Sequence, residues 1–209
     1  MSLSVDHLEL GPLGTNCYLV ESAGRLLVVD PAFDADVIER AVAGRPVDVI
    51  AITHCHWDHI QAVSRLAGSS GAAVVVHEAD ADALSDLEEN GSSSYGLDPG
   101  DIPIARRLSD GDVVEVGQAC FAVLHTPGHS AGSMCLYEPR EHVLFSGDTV
   151  FSGGSVGRTD LGSGSRRDIV RSVTEKLAPL PDDVVVYPGH GASSTIGAER
   201  ALNPLLRPR

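Results

Sequence analysis

Short runs of apolar positions, some alternating with polar ones, divide the chain into strands, and helical spacing interrupts them at a few places. Leu3–Leu10, Asn16–Val20 and Arg25–Asp30 read as strands joined by Gly-Pro and Ala-Gly turns. Asp34 reads as the N-cap of a helix carrying Val37, Ile38, Ala41 and Val42, ended by Gly44 and Pro46. Val47–Ile52 (VDVIAI) is rich in β-branched residues and has no helical period, so it reads as a buried strand. Ile60, Val63 and Leu66 or Ala67 return to helical spacing and predict a helix from near Asp58. Ala72–His77 then reads as a strand and Glu78–Leu84 as a short helix.

Residues 86–103 are acidic, small and turn-rich; a solvated surface loop is the expectation, with a lid or substrate-facing loop as the other reading. Five strands follow, Ile104–Leu108, Val113–Val116, Cys120–Leu124, Ser133–Tyr137 and Val143–Phe145, and then a Gly-rich segment, Ser152–Ser165, without periodicity. Ser165 with Asp168 predicts a capping box for a helix bearing Ile169, Val173 and Leu177. Val184–Tyr187 is the last strand and Ile196–Leu202 the last helix. No linker or repeat divides residues 1–209, which predicts one domain. Runs of strands with helices inserted near each end predict an α+β fold of two packed sheets with helices outside, although the pattern alone does not exclude other α+β arrangements.

Composition narrows the function. Hydrophobic residues make up 43% and charged residues 21%, ordinary for a globular protein, while aromatics are only 4%, so the core rests on Val, Leu, Ile and Ala. A formal charge of −14 argues against nucleic acid or an anionic membrane as partner. No apolar run approaches the about 20 residues of a membrane span, and MSLSVDHLEL is not a signal peptide. Cys17, Cys55, Cys120 and Cys135 show no C-x-x-C spacing and read as small buried residues in a reducing compartment, which makes the cytoplasm the expected location.

The chemistry gathers where strands end. Thr53-His54-Cys55-His56-Trp57-Asp58-His59 puts three imidazoles and a carboxylate on the turn between a strand and a helix. Zinc, iron and manganese accept such ligands, and two close ligand sets suggest two ions. His125-Thr126-Pro127-Gly128-His129-Ser130, Ser146-Gly147-Asp148-Thr149 and Pro188-Gly189-His190-Gly191 each follow another strand. Singly, each is equally a turn residue; four strand ends carrying the same residue type point to one metal centre. His7, His77 and His142 lack such a setting, His125 reads as a support for the His129 loop, and Cys55 as packing. Gly153–Gly157 formally satisfies G-x-S-x-G, but no helix follows directly, so it reads as a coincidence of a Gly-rich loop.

The ordered motifs THCHWDH, HTPGHS, FSGDT and YPGHG resemble the metallo-β-lactamase fold superfamily over nearly the whole chain. Within it, HTPGHS, FSGDTVF and Gly157-Arg158-Thr159-Asp160 resemble the glyoxalase II-like hydrolases. The resemblance implies a four-layer αβ/βα sandwich with the site at one edge. It implies one metal on His54, His56 and His129, a second on Asp58, His59 and His190, and Asp148 bridging them. Two divalent ions, zinc first with iron or manganese as alternatives, would share a water, lower its pKa and polarise a carbonyl. Asp58 would also orient the hydroxide and take its proton. The implied reaction is hydrolysis of an S-2-hydroxyacyl thioester, a small-molecule substrate, to a hydroxy acid and a thiol.

Departures bear on the thiol. The chain stops soon after His190, without the helical domain that contacts glutathione in the larger enzymes, and no tyrosine follows His190. Arg158 stands where those enzymes have a lysine; it either binds a substrate carboxylate or pairs with Asp160. Tyr137 either lines the pocket or packs. The alternatives are a persulfide dioxygenase with one iron on His54, His56, His129 and Asp148, a lactonase or β-lactam hydrolase, and a metal-stabilised binding protein. The intact His190 favours two metals, and an all-His/Asp site favours catalysis over structure.

Overall fold

A computed structural model describes residues 3–207; residues 1–2 and 208–209, the ends of the expected 1–209 domain, lie outside the described residues. The first sheet holds β1 (Ser4–Leu10), β2 (Thr15–Ser22), β3 (Arg25–Val29), β4 (Val47–Ile52), β5 (Ala73–His77) and β6 (Ile104–Leu108) in that order. β1, β2 and β3 pair antiparallel, and β3 to β6 pair parallel. The second sheet runs β12 (Ser194–Thr195), β11 (Val185–Pro188), β10 (Val143–Gly147), β9 (Met134–Glu138), β8 (Ala119–His125) and β7 (Val113–Val116). In it only β10 and β11 are parallel.

Period-2 alternation explains why so many strands are apolar throughout. In β2, Cys17 and Leu19 face one cluster while Tyr18 and Val20 face another. The same split separates Leu26 and Val28 from Leu27 and Val29 in β3, and Met134 and Leu136 from Cys135 in β9. Both faces of each strand are therefore covered. One cluster lies between the sheets, anchored by Phe121 and Phe145. A second joins the first sheet to the helices α1 (Ala35–Val42), α2 (Trp57–Ile60), α3 (Val63–Ser70) and α4 (Glu78–Ala81). A third joins the second sheet to α5 (Arg166–Ser172) and α6 (Ile196–Leu202). The result is helix, sheet, sheet, helix: the four-layer α+β sandwich.

Several local expectations change. The helix expected from Asp58 is two helices, because the Ala62 amide donates to Pro31 O (3.0 Å) and Ala32 O (3.1 Å) instead of continuing the helical ladder. Asp34 adopts φ 52° and makes no side-chain cap; its backbone carbonyl accepts from Val37 N at 2.7 Å. Ser165 does cap α5, accepting from Asp168 N at 3.3 Å, but the helix ends in a wide turn in which Ala178 N reaches Val173 O, five residues back. The helix expected to Leu84 stops at Ala81 and continues as a 3₁₀ turn, Ala83–Ser85. Cys17, Cys55 and Cys135 are buried, while Cys120 is exposed on the face of β8 opposite Phe121. Among the described residues no helix is long and apolar enough to cross a membrane.

Candidate metal centre

β10 and β11 run parallel, and β8 runs the same way because both β8 and β10 pair antiparallel with β9. These three strands of the second sheet therefore end at one edge, where His129, Asp148 and His190 follow them. The first sheet is tied to that edge. Met134 N donates to Thr53 O (2.9 Å), Asn16 Nδ2 to Pro188 O (2.9 Å) and Gly191 O (2.8 Å), and Tyr18 OH to Pro188 O (2.7 Å). All seven predicted ligands thus meet.

Two donor triads result, His54–His56–His129 and Asp58–His59–His190, each with ligand atoms within 4.8 Å of one another. In the first, His129 Nε2 lies 2.8 Å from His56 Nδ1 and 3.2 Å from His54 Nε2. Nitrogens of a tetrahedral zinc site stand about 3.3 Å apart, given bonds of about 2.0–2.1 Å. In the second, Asp58 Oδ2 lies 3.1 Å from His190 Nε2 and 3.5 Å from His59 Nε2. Asp148 sits between the triads, with Oδ1 3.5 Å from His59 Nε2 and Oδ2 3.4 Å from His129 Nε2. His59 Nε2 and Asp148 Oδ1 are buried without a hydrogen-bond partner, an arrangement that costs free energy unless a cation sits there. The donor set fits divalent ions.

The outer atoms fix how the rings point. Thr53 Oγ1 gives its proton to Asp30 Oδ2 (2.6 Å), so at 3.1 Å His54 Nδ1 must donate to Thr53 and its Nε2 keeps a lone pair facing inward. His59 Nδ1 donates to Asp30 Oδ2 (2.9 Å) and His129 Nδ1 to Arg158 O (2.8 Å), which turns each Nε2 inward. Asp30 also offers oxygens near His54 and His59, but these accept from Thr53 and His59, so it orients rings rather than adding a third ion site.

Burial followed by the neighbouring His129 pushes His56 down to about 3, and burial with the surrounding imidazoles pushes His54 down too. Burial works against a proton on His59, but Asp58, Asp148 and Asp30 hold it up to about 10. His190 is raised as well: burial opposes it, and the Asp58 hydrogen bond and Asp148 outweigh burial. Burial would raise Asp58, yet His59 and the His190 hydrogen bond keep it well below the carboxylate range. The second triad attracts positive charge, which protons supply and a divalent ion would displace.

Glycine makes room at one critical point. A Cβ on Gly189 would overlap Asp148 Oδ1 and stand 2.7 Å from His59 Cε1, so only glycine fits beside the centre.

Several residues that hold this edge together carry no motif in the sequence. Asp80, 1% exposed, accepts from Cys55 N (2.9 Å), Ser130 Oγ (2.6 Å) and Gly132 N (2.5 Å), tying the first motif to the His129 loop. Thr15 Oγ1 donates to Asp58 Oδ2 at 3.1 Å. His125 Nε2 donates to Ala131 O (2.9 Å), the supporting role expected of it, and stacks on His77 at 3.8 Å. His7 bonds Asn16 Oδ1 and His142 bonds Asp183, both away from the centre.

A cavity of about 330 Å³ opens onto His56, Asp58, His129, Asp148 and His190. The loop expected to be simply solvated forms part of its wall: Glu88–Gly91, Ser94 and Tyr95 line it, and Tyr95 stacks on Trp57 with centroids 4.2 Å apart. Arg158 lines it too, held by Asp160 through two bonds of 2.8 and 2.9 Å. Tyr137 does not. It lies half-buried on β9 opposite Leu144 and packs into the outer helical cluster. Ser155 sits in a loop with no strand-to-helix elbow and does not line the cavity.

Residues 10–190 match the metallo-beta-lactamase superfamily, and the chain belongs to that family. Hydroxyacylglutathione hydrolase GloC of Haemophilus influenzae is 29% identical over 98% of each chain. The crystal structure of BLEG-1 B3 metallo-beta-lactamase superposes with TM-score 0.91 at 34% identity, over 97% of this chain and 99% of that one. TTHA1623 in a di-iron-bound form superposes with TM-score 0.86, also at 34% identity, over 96% and 99%. The fold is that of the metallo-hydrolases.

Proposed function

We propose that this protein is a two-metal hydrolase that cleaves small 2-hydroxyacyl thioesters to a hydroxy acid and a free thiol. The observation that carries this reading is the second donor triad: with His190 Nε2 3.1 Å from Asp58 Oδ2, its donors come together beside the first. His54, His56 and His129 would hold one ion, Asp58, His59 and His190 the other, and Asp148 would serve both. Zinc is the proposed metal; the di-iron form of TTHA1623 is the reason to test iron as well. Bound there, two divalent ions would acidify a water and polarise the substrate carbonyl.

The chain's own groups position that chemistry. Asp58 Oδ2 accepts from Thr15 and faces His190, which leaves Oδ1 to orient the attacking water and take its proton. Asp30, Thr53 and the Arg158 carbonyl keep the imidazole lone pairs aimed inward. Trp57 and Tyr95 stack to form one side of the cavity. A thiolate, with a thiol pKa of about 8.5, leaves without a dedicated proton donor. The likeness to GloC over nearly the full length of both chains supports a thioester.

The likeness to BLEG-1 favours β-lactam opening as a second reading, in which the departing nitrogen needs a proton. One panel separates them: zinc- or iron-loaded protein is given an S-D-lactoyl thioester, a chromogenic β-lactam, and a glutathione persulfide with oxygen monitored. Thioester cleavage that chelation and Asp58→Asn abolish is the expected result. Lactam opening alone installs the second reading, and oxygen uptake without hydrolysis installs an iron dioxygenase.

A further inference from the structure

His54, His59 and His129 each have the ring nitrogen that faces away from the centre tied to a fixed acceptor. His190 does not. Its Nε2 faces Asp58 and Asp148, and its Nδ1 meets no protein acceptor among the described residues. Its side chain is 26% exposed, the most open of the seven donors. A ring without an outer bond is aimed only as well as its backbone is held.

Asn16, buried on β2, holds that backbone. Its Nδ2 donates to Pro188 O (2.9 Å) and Gly191 O (2.8 Å), and its main-chain N–H donates to Gly189 O (2.8 Å). Residue 16 thus takes up carbonyls on both sides of His190. Two carbonyls can be met only by the NH₂ of the amide, so its Oδ1 points the other way and accepts from His7 Nε2 at 2.6 Å. Tyr18 OH gives Pro188 O its second donor at 2.7 Å, which fills both lone pairs of that oxygen. We propose that Asn16, together with Tyr18, positions His190 for the second ion: through the Pro188–Gly191 turn the pair keeps His190 Nε2 within reach of Asp58 and His59, and it leaves the His54–His56–His129 site alone. The inference rests on the two-ion reading, and not on which ester is cleaved.

The test is a zinc titration of metal-free protein in competition with a chromogenic chelator, which resolves stepwise affinities; His190→Ala marks the step that belongs to the second site. Asn16→Asp keeps the size of the side chain but sets a carboxylate oxygen against two carbonyls. It should weaken the second site about 10- to 100-fold, the range for groups that orient a ligand, and leave the first site unchanged. Tyr18→Phe keeps the ring, removes one donor to Pro188 O, and should weaken the same site about five-fold. Urea unfolding of the metal-free variants reads stability separately. A purely structural role lowers the unfolding midpoint while the ratio of the two zinc affinities stays as in the unaltered protein, and that result overturns the proposal. Equal weakening of both sites overturns it too. If Asn16→Asp does not fold, Tyr18→Phe decides, and an unchanged ratio there is the contrary result. Uptake of a single ion by the unaltered protein sinks the two-ion reading and this proposal with it. Two ions with an unchanged ratio in both variants leave that reading standing and sink only the positioning role.

Discussion

Single atoms decide whether this edge of the sandwich can hold metal. Asp80 satisfies three donors on two ligand-bearing segments, and an amide there must turn an N–H towards one of them. Asp80→Asn should lower the unfolding free energy by about 1–3 kcal/mol, read by urea denaturation. It should also weaken metal binding about 10- to 100-fold, read by competition with a chromogenic chelator. A purely structural Asp80 would leave the affinity of the folded protein unchanged. Gly189→Ala should cost metal occupancy while far-UV dichroism stays intact, because the added methyl meets Asp148 Oδ1 and His59 Cε1, both at the centre rather than in the apolar clusters. The seven His and Asp donors were legible because each stands in a dense motif just after an apolar strand. Asp30, Asp80 and Thr15 were not, since a lone acid or hydroxyl has no local pattern and its partners lie tens of residues away.

At the scale of elements, strands were easier to read than helix ends. β2 to β5 are covered on both faces, so their composition alone marks them. The break at Ala62 depends on two carbonyls, Pro31 and Ala32, that helical periodicity cannot foresee. The 86–103 segment misled for a similar reason: its polar residues look solvated, but Asn90 is fully buried. Its Nδ2 donates to Ala83 O and Leu84 O (both 3.2 Å), its Oδ1 accepts from Ser92 N (2.9 Å), and its carbonyl accepts from Trp57 N (2.9 Å). The side chain pins the cavity wall to the Ala83–Leu84 turn, and the backbone carbonyl ties it to α2. Asn90→Ala should speed proteolysis within 86–103 and raise KM about five-fold, the equivalent of about 1 kcal/mol, with little change in kcat. An unchanged KM would remove the segment from the substrate's path.

For the whole molecule, none of the seven candidate donors belongs to the three apolar clusters, so the fold should outlast loss of metal. Chelated protein should keep its far-UV dichroism and unfold in one transition. Its midpoint should be about 5–10 °C lower for each site that was saturated at about 100 times its Kd. Loss of dichroism on chelation would instead mark a structural metal. The order of the elements made two packed sheets with helices outside legible, while the choice of that sandwich over other α+β arrangements came only with the resemblance. Strand pairing between the halves, such as Thr15 with His190, carries no local signal.

If two complete ion sites share this edge, as we propose, the metal content of purified, metal-saturated protein tests it most directly. About two ions per chain are expected, falling to about one in His190→Ala with the His54–His56–His129 site still filled. One ion per chain in both proteins would contradict it.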